Sequence, residues 1–253
     1  MARFKSANDI INQVAIETGL EKKADVFTTQ DAAFPQLIAL ANSCGMELIQ
    51  HQPWEHLNAK FTQITTSTDD GKYALPEDYA YMIDQTNWEQ SNNRPMANMS
   101  AQDWTYAIGS TDGTDTIHVS FRINQNEFWL FPYAEGHVTP PDGLEITFEY
   151  ISRYWVNGNL ASGLSPTTQA NVGSQDIIAE ASDMVLFEPY LFERLLKVRF
   201  LEARGFDTSA ANQQLESAYQ SWSGKDKGAS ILNVGGNRRG FRYLNGCNVG
   251  DTG

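Results

Sequence analysis

The sequence predicts an α+β fold: a helical bundle formed from N- and C-terminal helices, with an inserted small antiparallel β module and an extended C-terminal tail. Three observations predict it. Apolar residues recur at three- and four-residue steps near both ends of the chain, which is the helical period. Short aromatic and β-branched segments separated by turn residues fill the middle, which is typical of strands. The last stretch is rich in Gly, Asn and Arg and has no period.

The chain therefore divides into four regions. We expect residues 1–56 to form the N-terminal part of the bundle and residues 57–156 the antiparallel β module. Residues 157–224 are predicted to be a connector followed by the C-terminal part of the bundle, and residues 225–253 an extended basic tail. With 253 residues, 41% of them hydrophobic, the chain is long and apolar enough to bury a core.

Two helices are predicted in the first region. Ser6, with Asp9 three residues later, is a capping-box arrangement that starts the first helix. The second starts near Thr29 and Asp31 and ends before Pro53, because the residue preceding a proline is biased away from helix. The apolar stripe of this second helix, which has to be buried, consists of Phe34, Leu37, Ile38, Ala41, Met46, Leu48 and Ile49.

The β module is predicted from five short segments and the turns between them. The segments are residues 61–66, 79–88, 117–123, 127–131 and 144–150. Residues 121–131 indicate a hairpin with Asn124, Gln125 and Asn126 at its tip. One short helix interrupts the strands, because Ser100 and Asp103 form a second capping box.

Helical periodicity returns after a polar connector. The segment 189–204 has apolar residues at helical spacing with basic residues among them, and Gly205 ends this helix. A final helix is predicted from about Thr208 to Trp222. We expect no membrane span, because no apolar stretch of the chain is long enough, and no signal peptide, because the basic N-terminus has no apolar core.

The charge is unevenly distributed. The formal net charge is −13, which argues against a protein that coats nucleic acid. Residues 225–253 contain five Lys or Arg against two Asp, so the tail is +3 and the remaining body is −16. A basic arm on an acidic body suggests that the arm has a binding partner of its own.

No catalytic, metal-binding or cofactor-binding pattern stands out. The four histidines have no metal-ligand spacing, and Cys44 and Cys247 are expected to be reduced thiols. The acidic pairs Asp69-Asp70, Glu77-Asp78 and Glu180-Asp183 leave a glycoside-cleaving enzyme open, although turns and caps are the usual role of such pairs. We therefore predict no enzymatic activity, no metal and no cofactor.

Aromatic residues of the β module permit two interpretations. They are Tyr79, Tyr81, Trp88, Phe128 and Trp129. Exposed rings of this kind stack on sugars or bases, whereas strand periodicity turns alternate residues into a core. We favour the core. Burial of Trp88 and Trp129 would remove the stacking platform.

The order of several motifs resembles a known family. The motif YALPEDY begins at Tyr73, TNW ends at Trp88, RPM begins at Arg94, and a capped helix carries Trp104. This series, followed by FRINQNEFWLFP, ITFEYISRYWV and ERLLKVRFLEARGFD, is similar to head-to-tail adaptor proteins of tailed bacteriophages over about residues 6–222. The family-motif residues are Tyr73, Leu75, Pro76, Trp88, Arg94, Pro95, Trp104 and Gly205.

The resemblance implies a structural virion protein. Such adaptors form a ring, typically of twelve subunits, under the portal and link the DNA-filled capsid to a downstream tail or nozzle protein. It implies location at the head-tail junction after synthesis in the host bacterial cytoplasm, with DNA passing through the channel without specific binding and no membrane contact. The alternatives are a phage-associated peptidoglycan hydrolase and a glycan-binding module.

The tail offers a candidate portal-binding element. Arginine and aromatic residues are enriched in binding hot spots, and this tail carries both. The candidate residues are Arg238, Arg239, Phe241, Arg242 and Tyr243. We expect this arm to become ordered when it lies along the portal. The alternative is a disordered end that only increases solubility.

Overall fold

The fold was analysed in a computed structural model, which describes residues 4–109, 119–136, 138–158 and 173–226. Five α-helices and twelve β-strands lie within these residues. The helices are α1 (Ala7–Glu17), α2 (Ala33–His51), α3 (Ala101–Gly109), α4 (Pro189–Arg204) and α5 (Ser209–Asp226). The strands are β1 (Lys5–Ser6), β2 (Asn58–Ile64), β3 (Lys72–Ala74), β4 (Tyr79–Met82), β5 (Trp88–Glu89), β6 (Arg94–Pro95), β7 (Ala97–Asn98), β8 (Ser120–Asn124), β9 (Glu127–Phe131), β10 (Glu145–Ser152), β11 (Val156–Asn157) and β12 (Met184–Val185).

Both predicted capping boxes are present. The Asp9 N–H donates to Ser6 Oγ at 3.2 Å, and Ser6 Oγ donates to the Asp9 carboxylate at 2.8 Å. The same pair of bonds joins Asp103 and Ser100, at 3.1 Å and 2.7 Å. In each helix the serine hydroxyl satisfies one backbone donor that the first turn leaves without an intrahelical partner, and the aspartate carboxylate holds that hydroxyl in place.

Helix α4 is the centre of the largest core. It packs against α1, α2 and α5, which places helices from both ends of the chain together. A three-stranded sheet in the order β1-β12-β11 belongs to the same core, because Val156 and Val185 are fully buried within it. The aromatic residues of this core are Phe34, Trp54, Trp155, Phe187, Phe192 and Phe200.

A second sheet has β10 at its centre. Strand β10 pairs antiparallel with β2 over seven residues on one side and with β4 and β5 on the other, and β6 extends the sheet beyond β5. Phe61 and Phe148 stack with ring centroids 4.6 Å apart across the β2–β10 pair. The paired residues are more than 80 positions apart in the chain, so no tight turn sets their register. The side chains on the buried face of the sheet hold the register instead.

A third sheet has the order β3-β9-β8-β7 and contains the predicted hairpin. Strands β8 and β9 are joined by Gln125 and Asn126, both with positive φ, as a two-residue hairpin turn requires. Phe121 and Phe128 stack on one face at 5.0 Å between centroids. Strand β7 pairs with β8 in the parallel direction, so this module is not wholly antiparallel.

The predicted fold class is wrong. The described residues form a structure rich in β-sheet, with three sheets and twelve strands beside five helices, and not a helical bundle with a small β module. Seven of the strands have two or three residues each, too short for periodicity to reveal, and apart from the β5–β6 hairpin their partners lie more than 20 residues away in sequence. Lys5, for example, pairs with Val185. Among these residues no helix combines the length and apolar character of a membrane span.

Candidate interaction surfaces

The first family motif forms the connection from β3 to β4. Tyr73 is buried and its hydroxyl donates to Asp69 Oδ2 at 3.1 Å. Burial, followed by the Asp69 carboxylate, raises the pKa of Tyr73. Leu75 is buried in the core shared by the second and third sheets, and Pro76 is half-buried. The motif therefore ties these two sheets together.

The second motif is a short hairpin of β5 and β6. Trp88 pairs with Pro95 and Glu89 with Arg94. The Glu89 carboxylate is buried and accepts bonds from the backbone N–H and the side-chain amide of Asn92, at 2.7 and 2.8 Å. The buried carboxylate of Glu89, at the end of β5, therefore stabilises the turn of this hairpin through Asn92.

Trp104 is the buried residue of α3. Its indole lies 5.9 Å from the ring of Trp129 and 6.0 Å from that of Phe131, forming a small third core. The half-buried ring of Trp129 is covered by the Lys72 ammonium, 4.1 Å from its centroid. Trp88 is also half-buried. The indoles of Trp88 and Trp129 are therefore half-buried. This burial weakens the interpretation that they form an exposed platform for stacking on sugars or bases, without removing it.

Gly205 ends α4. Its φ of 73° lies in the left-handed region, which L-residues with a side chain rarely adopt, and its N–H donates to the Glu202 carbonyl at 3.0 Å. Phe206 follows and is exposed. The eight family-motif residues thus lie in buried cores, in the β5–β6 hairpin, in the connection from β3 to β4 or at the end of α4. Whether they contact a partner remains a prediction, and the five predicted portal-binding residues of the tail lie outside the described residues.

Basic side chains of α4 are paired within the chain. Arg194 donates two hydrogen bonds of 2.9 Å to Glu17 of α1, and Lys197 donates a third at 3.0 Å. Arg199 bonds Glu47 of α2. These ion pairs join α4 to α1 and α2, so these three residues stabilise the described chain.

Apolar side chains remain exposed on α1, α2 and α4 and next to these helices. They are Ile16, Met46, Ile177, Tyr190 and Phe206. They come from α1, α2, the segment before β12, the start of α4 and the turn after α4. Large side chains of this kind are the usual anchors of protein-protein contacts when they lie together.

The last turn of α5, which precedes the tail, is held by hydrogen bonds to another part of the chain. Ser223 Oγ donates to Gln52 Oε1 at 2.7 Å, and the Glu55 N–H donates to Asp226 Oδ2 at 3.1 Å. The Asp226 carboxylate also faces His56, at 3.8 Å between Oδ1 and Nδ1, with both side chains over nine-tenths buried. The last turn of α5 is therefore attached to the connection between α2 and β2.

The acidic pairs considered as catalytic candidates have structural partners. Asp69 accepts from Thr66 as well as Tyr73, and these bonds lower the pKa of its carboxyl group. Asp78 accepts from Tyr150 Oη at 2.9 Å. Asp183 is buried and accepts from two backbone N–H groups and the Gln175 amide. Asp69 and Asp183 therefore hold local turns, whereas Asp78 joins the β3–β4 connection to β10.

Comparison with known families decides the class of protein. The sequence model of one family, described as SU10 adaptor protein, matches residues 5–233. The chain belongs to the SU10 adaptor protein family. No curated protein matches the sequence.

Membership confirms the resemblance to phage head-tail adaptors. This adaptor is a structural protein of a bacteriophage particle and associates with head and tail components. The match ends at Asn233, so it includes the first residues of the tail, which lie beyond the resemblance over about residues 6–222. The segment 238–243 lies beyond it.

Sequence reasoning missed the anchoring of α5. The helix was expected to end at Trp222, and Lys225 and Asp226 were assigned to the tail. Helix α5 instead continues to Asp226. One signal could have predicted the longer helix: Ser223 does not terminate a helix. Gly224 does not either, since a glycine within a helix costs only a modest amount of free energy.

Proposed function

We propose that this adaptor forms a closed ring beneath the portal and links the DNA-filled head to the tail. Membership of a family of adaptors carries the proposal, and the apolar side chains exposed on and next to α1, α2 and α4 offer contact area for neighbouring subunits. A surface on one side of a subunit that meets a different surface of the next makes a heterologous interface, which closes into a ring when the rotation permits. Twelve copies is the number that the resemblance implies.

The body charge suits a channel for DNA. With −16 outside the tail, the ring presents acidic surface, and like-charge repulsion keeps DNA from adhering as it passes. The portal lies above this ring, and a tail or nozzle protein lies below it.

The arm after α5 docks on the portal. Its arginines supply donors for carboxylates and its aromatic rings supply buried area. The docking residues are Arg238, Arg239, Phe241, Arg242 and Tyr243. Because Asp226 is held by the Glu55 N–H, every copy in the ring presents its arm from an equivalent position.

A truncation and a substitution test this docking. A chain that ends at Asp226 keeps α5 and its attachment, whereas the triple variant R238A/F241A/R242A keeps the arm but removes its anchors. Both are expected to lose co-sedimentation with the portal of the same phage. A matched variant with three distal changes, N245A/N248A/T252A, should bind like the wild type. Wild-type binding by the truncated chain would contradict the docking role.

The four-part division of the chain is also a proposal. If residues 57–156 form a unit, limited proteolysis will cut near its boundaries before it cuts within β10. Mass spectrometry of the fragments distinguishes this from uniform digestion.

A further inference from the structure

The turn from α4 to α5, residues 204–207, presents a phenylalanine to solvent. The Gly205 N–H donates to the Glu202 carbonyl at 3.0 Å, and the next N–H, that of Phe206, donates to the Leu201 carbonyl at 3.0 Å. These are the two bonds of a Schellman motif, in which the apolar residue after the glycine frequently packs back on the helix. Phe206 is instead 63% exposed, so most of its surface faces solvent.

The backbone holds this phenylalanine in a defined position. The Schellman bonds fix the chain before Phe206, and the Asp207 carboxylate accepts from the Ser209 N–H at 3.0 Å immediately after it. A side chain that is already positioned loses little conformational entropy when it docks. Phe206 is therefore suited to act as an anchor on another surface.

A pocket of about 310 Å³ lies at the other end of the same two helices. A cavity of about 150 Å³ is large enough for benzene, so this pocket has room for one phenyl ring. Aromatic rings favour offset or edge contacts with one another, and two aromatic side chains line the pocket. Its apolar lining consists of Tyr190, Leu191, Ala218 and Trp222.

The phenylalanine and the pocket cannot meet within one chain. Tyr190 and Phe206 are separated by the length of α4, about 24 Å at 1.5 Å per residue. Helix α5 returns antiparallel beside α4, which is why Leu191 and Ala218 line the same pocket. Any contact between the two features therefore joins two copies through different surfaces, which makes it heterologous.

The charges beside the two features are complementary. Arg204 and Asp207 lie on either side of Phe206 in the sequence, whereas Glu188 and Lys225 line the pocket. Among the described residues, Arg204, Glu188 and Lys225 form no ion pair. One orientation of the turn sets each of its charges against the opposite charge at the pocket. Such complementarity fixes the register of an interface.

We propose that Phe206 of one copy inserts into the pocket between α4 and α5 of the next copy, and that this contact, repeated around the ring, joins its subunits. Arg204 then pairs with Glu188 of the neighbouring copy, and Asp207 with Lys225. The inference rests on the proposed function, because the ring supplies the neighbouring copy. It assigns the two surfaces that meet.

Cross-linking with a short bismaleimide tests which surfaces meet. In a C247S background, Arg204→Cys and Glu188→Cys lie at opposite ends of α4, too far apart to be joined within one chain. Phe206 and the Asp207–Lys225 pair are retained. Cys44 stays out of the reaction because it is buried and burial raises the pKa of its thiol to about 12. The matched control replaces Arg204→Cys by Gln102→Cys, an exposed position on α3.

Denaturing electrophoresis reads the cross-linking. The double-cysteine chain is expected to give a ladder of covalent oligomers, and an equal mixture of the two single-cysteine chains should give dimers only. No ladder, or the same ladder in the Gln102 control, would overturn the proposal. Dimers of the Arg204→Cys chain alone would also overturn it, because they would show that like surfaces meet.

Removal of the phenyl ring tests its role in assembly. Phe206→Ala is expected to weaken self-association roughly thirtyfold in sedimentation velocity, the loss typical of a hot-spot residue. Tyr106→Ala is the matched control, since Tyr106 on α3 is even more exposed, at 79%. Arg204→Glu should also weaken association, and Glu188→Arg in the same chain should restore it.

Electron microscopy of the same variants with the portal separates the two claims. Wild-type assembly together with unchanged assembly of Phe206→Ala would overturn this proposal and leave the proposed function standing. Rings of Phe206→Ala that no longer bind the portal would assign the phenylalanine to the portal contact and also overturn it. Absence of wild-type rings, alone and on the portal, would overturn both.

Discussion

The indole of Trp155 lies directly against Gly45 of α2. A Cβ atom placed on Gly45 would come within 2.2 Å of Trp155 Cζ2, far inside contact distance. The indole cannot move aside easily, because its Nε1 donates to the Asp176 carbonyl at 2.7 Å and its ring packs on Phe187 and Phe192. This contact joins α2 to the segment that links β10 and β11.

Substitution of Gly45 by alanine is predicted to destabilise the protein. The added methyl group has no space, and overpacking of a core costs about 1–3 kcal/mol. Chemical denaturation gives the change in the free energy of unfolding. Gly224→Ala in α5, where nothing lies within 4 Å, is the matched control and should be neutral or slightly stabilising. Equal stability of the Gly45→Ala and wild-type proteins would refute the packing described.

The ion pairs of Glu17 predict a dependence of stability on pH. Burial alone would raise the pKa of Glu17, but hydrogen bonds from Lys197, Gln13 and Arg194 outweigh it and lower the pKa below its ordinary 4.5. The carboxylate therefore stabilises the fold above pH 4.5, and this stabilisation is lost as the pH falls through the folded-state pKa.

Glu17→Gln should consequently lower the free energy of unfolding by about 1 kcal/mol at pH 7 and change it little at pH 3. Urea denaturation at both pH values measures this. Glu21→Gln is the control, since the Glu21 side chain is 89% exposed in its pair with Lys23. A loss for Glu17→Gln that is the same at both pH values would indicate a packing effect instead of a charge effect.

We predict that substitutions in the β8–β9 turn can increase the stability of the protein. Gln125 and Asn126 have φ values of 51° and 65°, and glutamine is poorly suited to that region. The double variant Q125N/N126G installs the preferred Asn-Gly turn and should stabilise the protein by about 0.5–1 kcal/mol. Thermal unfolding reports the gain. The same glycine placed at Asn124, within β8, should destabilise instead, and a loss of stability for the turn variant would contradict the assigned conformation.

Removal of the Asp226 charge should loosen the end of α5. Asp226→Asn weakens the acceptor for the Glu55 N–H and the charge that faces His56, at an expected cost of about 1 kcal/mol. Hydrogen exchange is expected to accelerate in the last turn of α5 and at Glu55. Glu216→Gln, on the exposed side of the same helix, should leave exchange unchanged there. If both variants exchange like the wild type, α5 is held by other contacts.

The helices could be predicted from sequence, whereas the sheets could be predicted only in part. Local signals, such as the Ser6-Asp9 and Ser100-Asp103 boxes and Gly205, are complete within a few residues, and they marked helix ends correctly. The three sheets depend on pairings such as Lys5 with Val185, which no local period encodes. For this reason the helical part was overestimated and the β part underestimated.

The interaction surfaces were less predictable than the fold. Motif order placed the chain in its family, because an ordered series of short motifs is visible in one sequence. The sequence did not predict the cleft of about 540 Å³ that Met82, Asn87 and Phe121 line. It forms where β4 and β8 meet, and Met82 and Phe121 are 39 positions apart in the chain. The attachment of Asp226 to Glu55 spans 171 positions and was missed for the same reason.

Negative-stain electron microscopy of the purified adaptor, alone and mixed with the portal of the same phage, tests the central claim most directly. We expect closed rings, or an additional layer of density on the tail-facing side of the portal. Monomers that leave the portal bare at micromolar concentrations of both proteins would contradict the connector role and favour the hydrolase and glycan-binding alternatives.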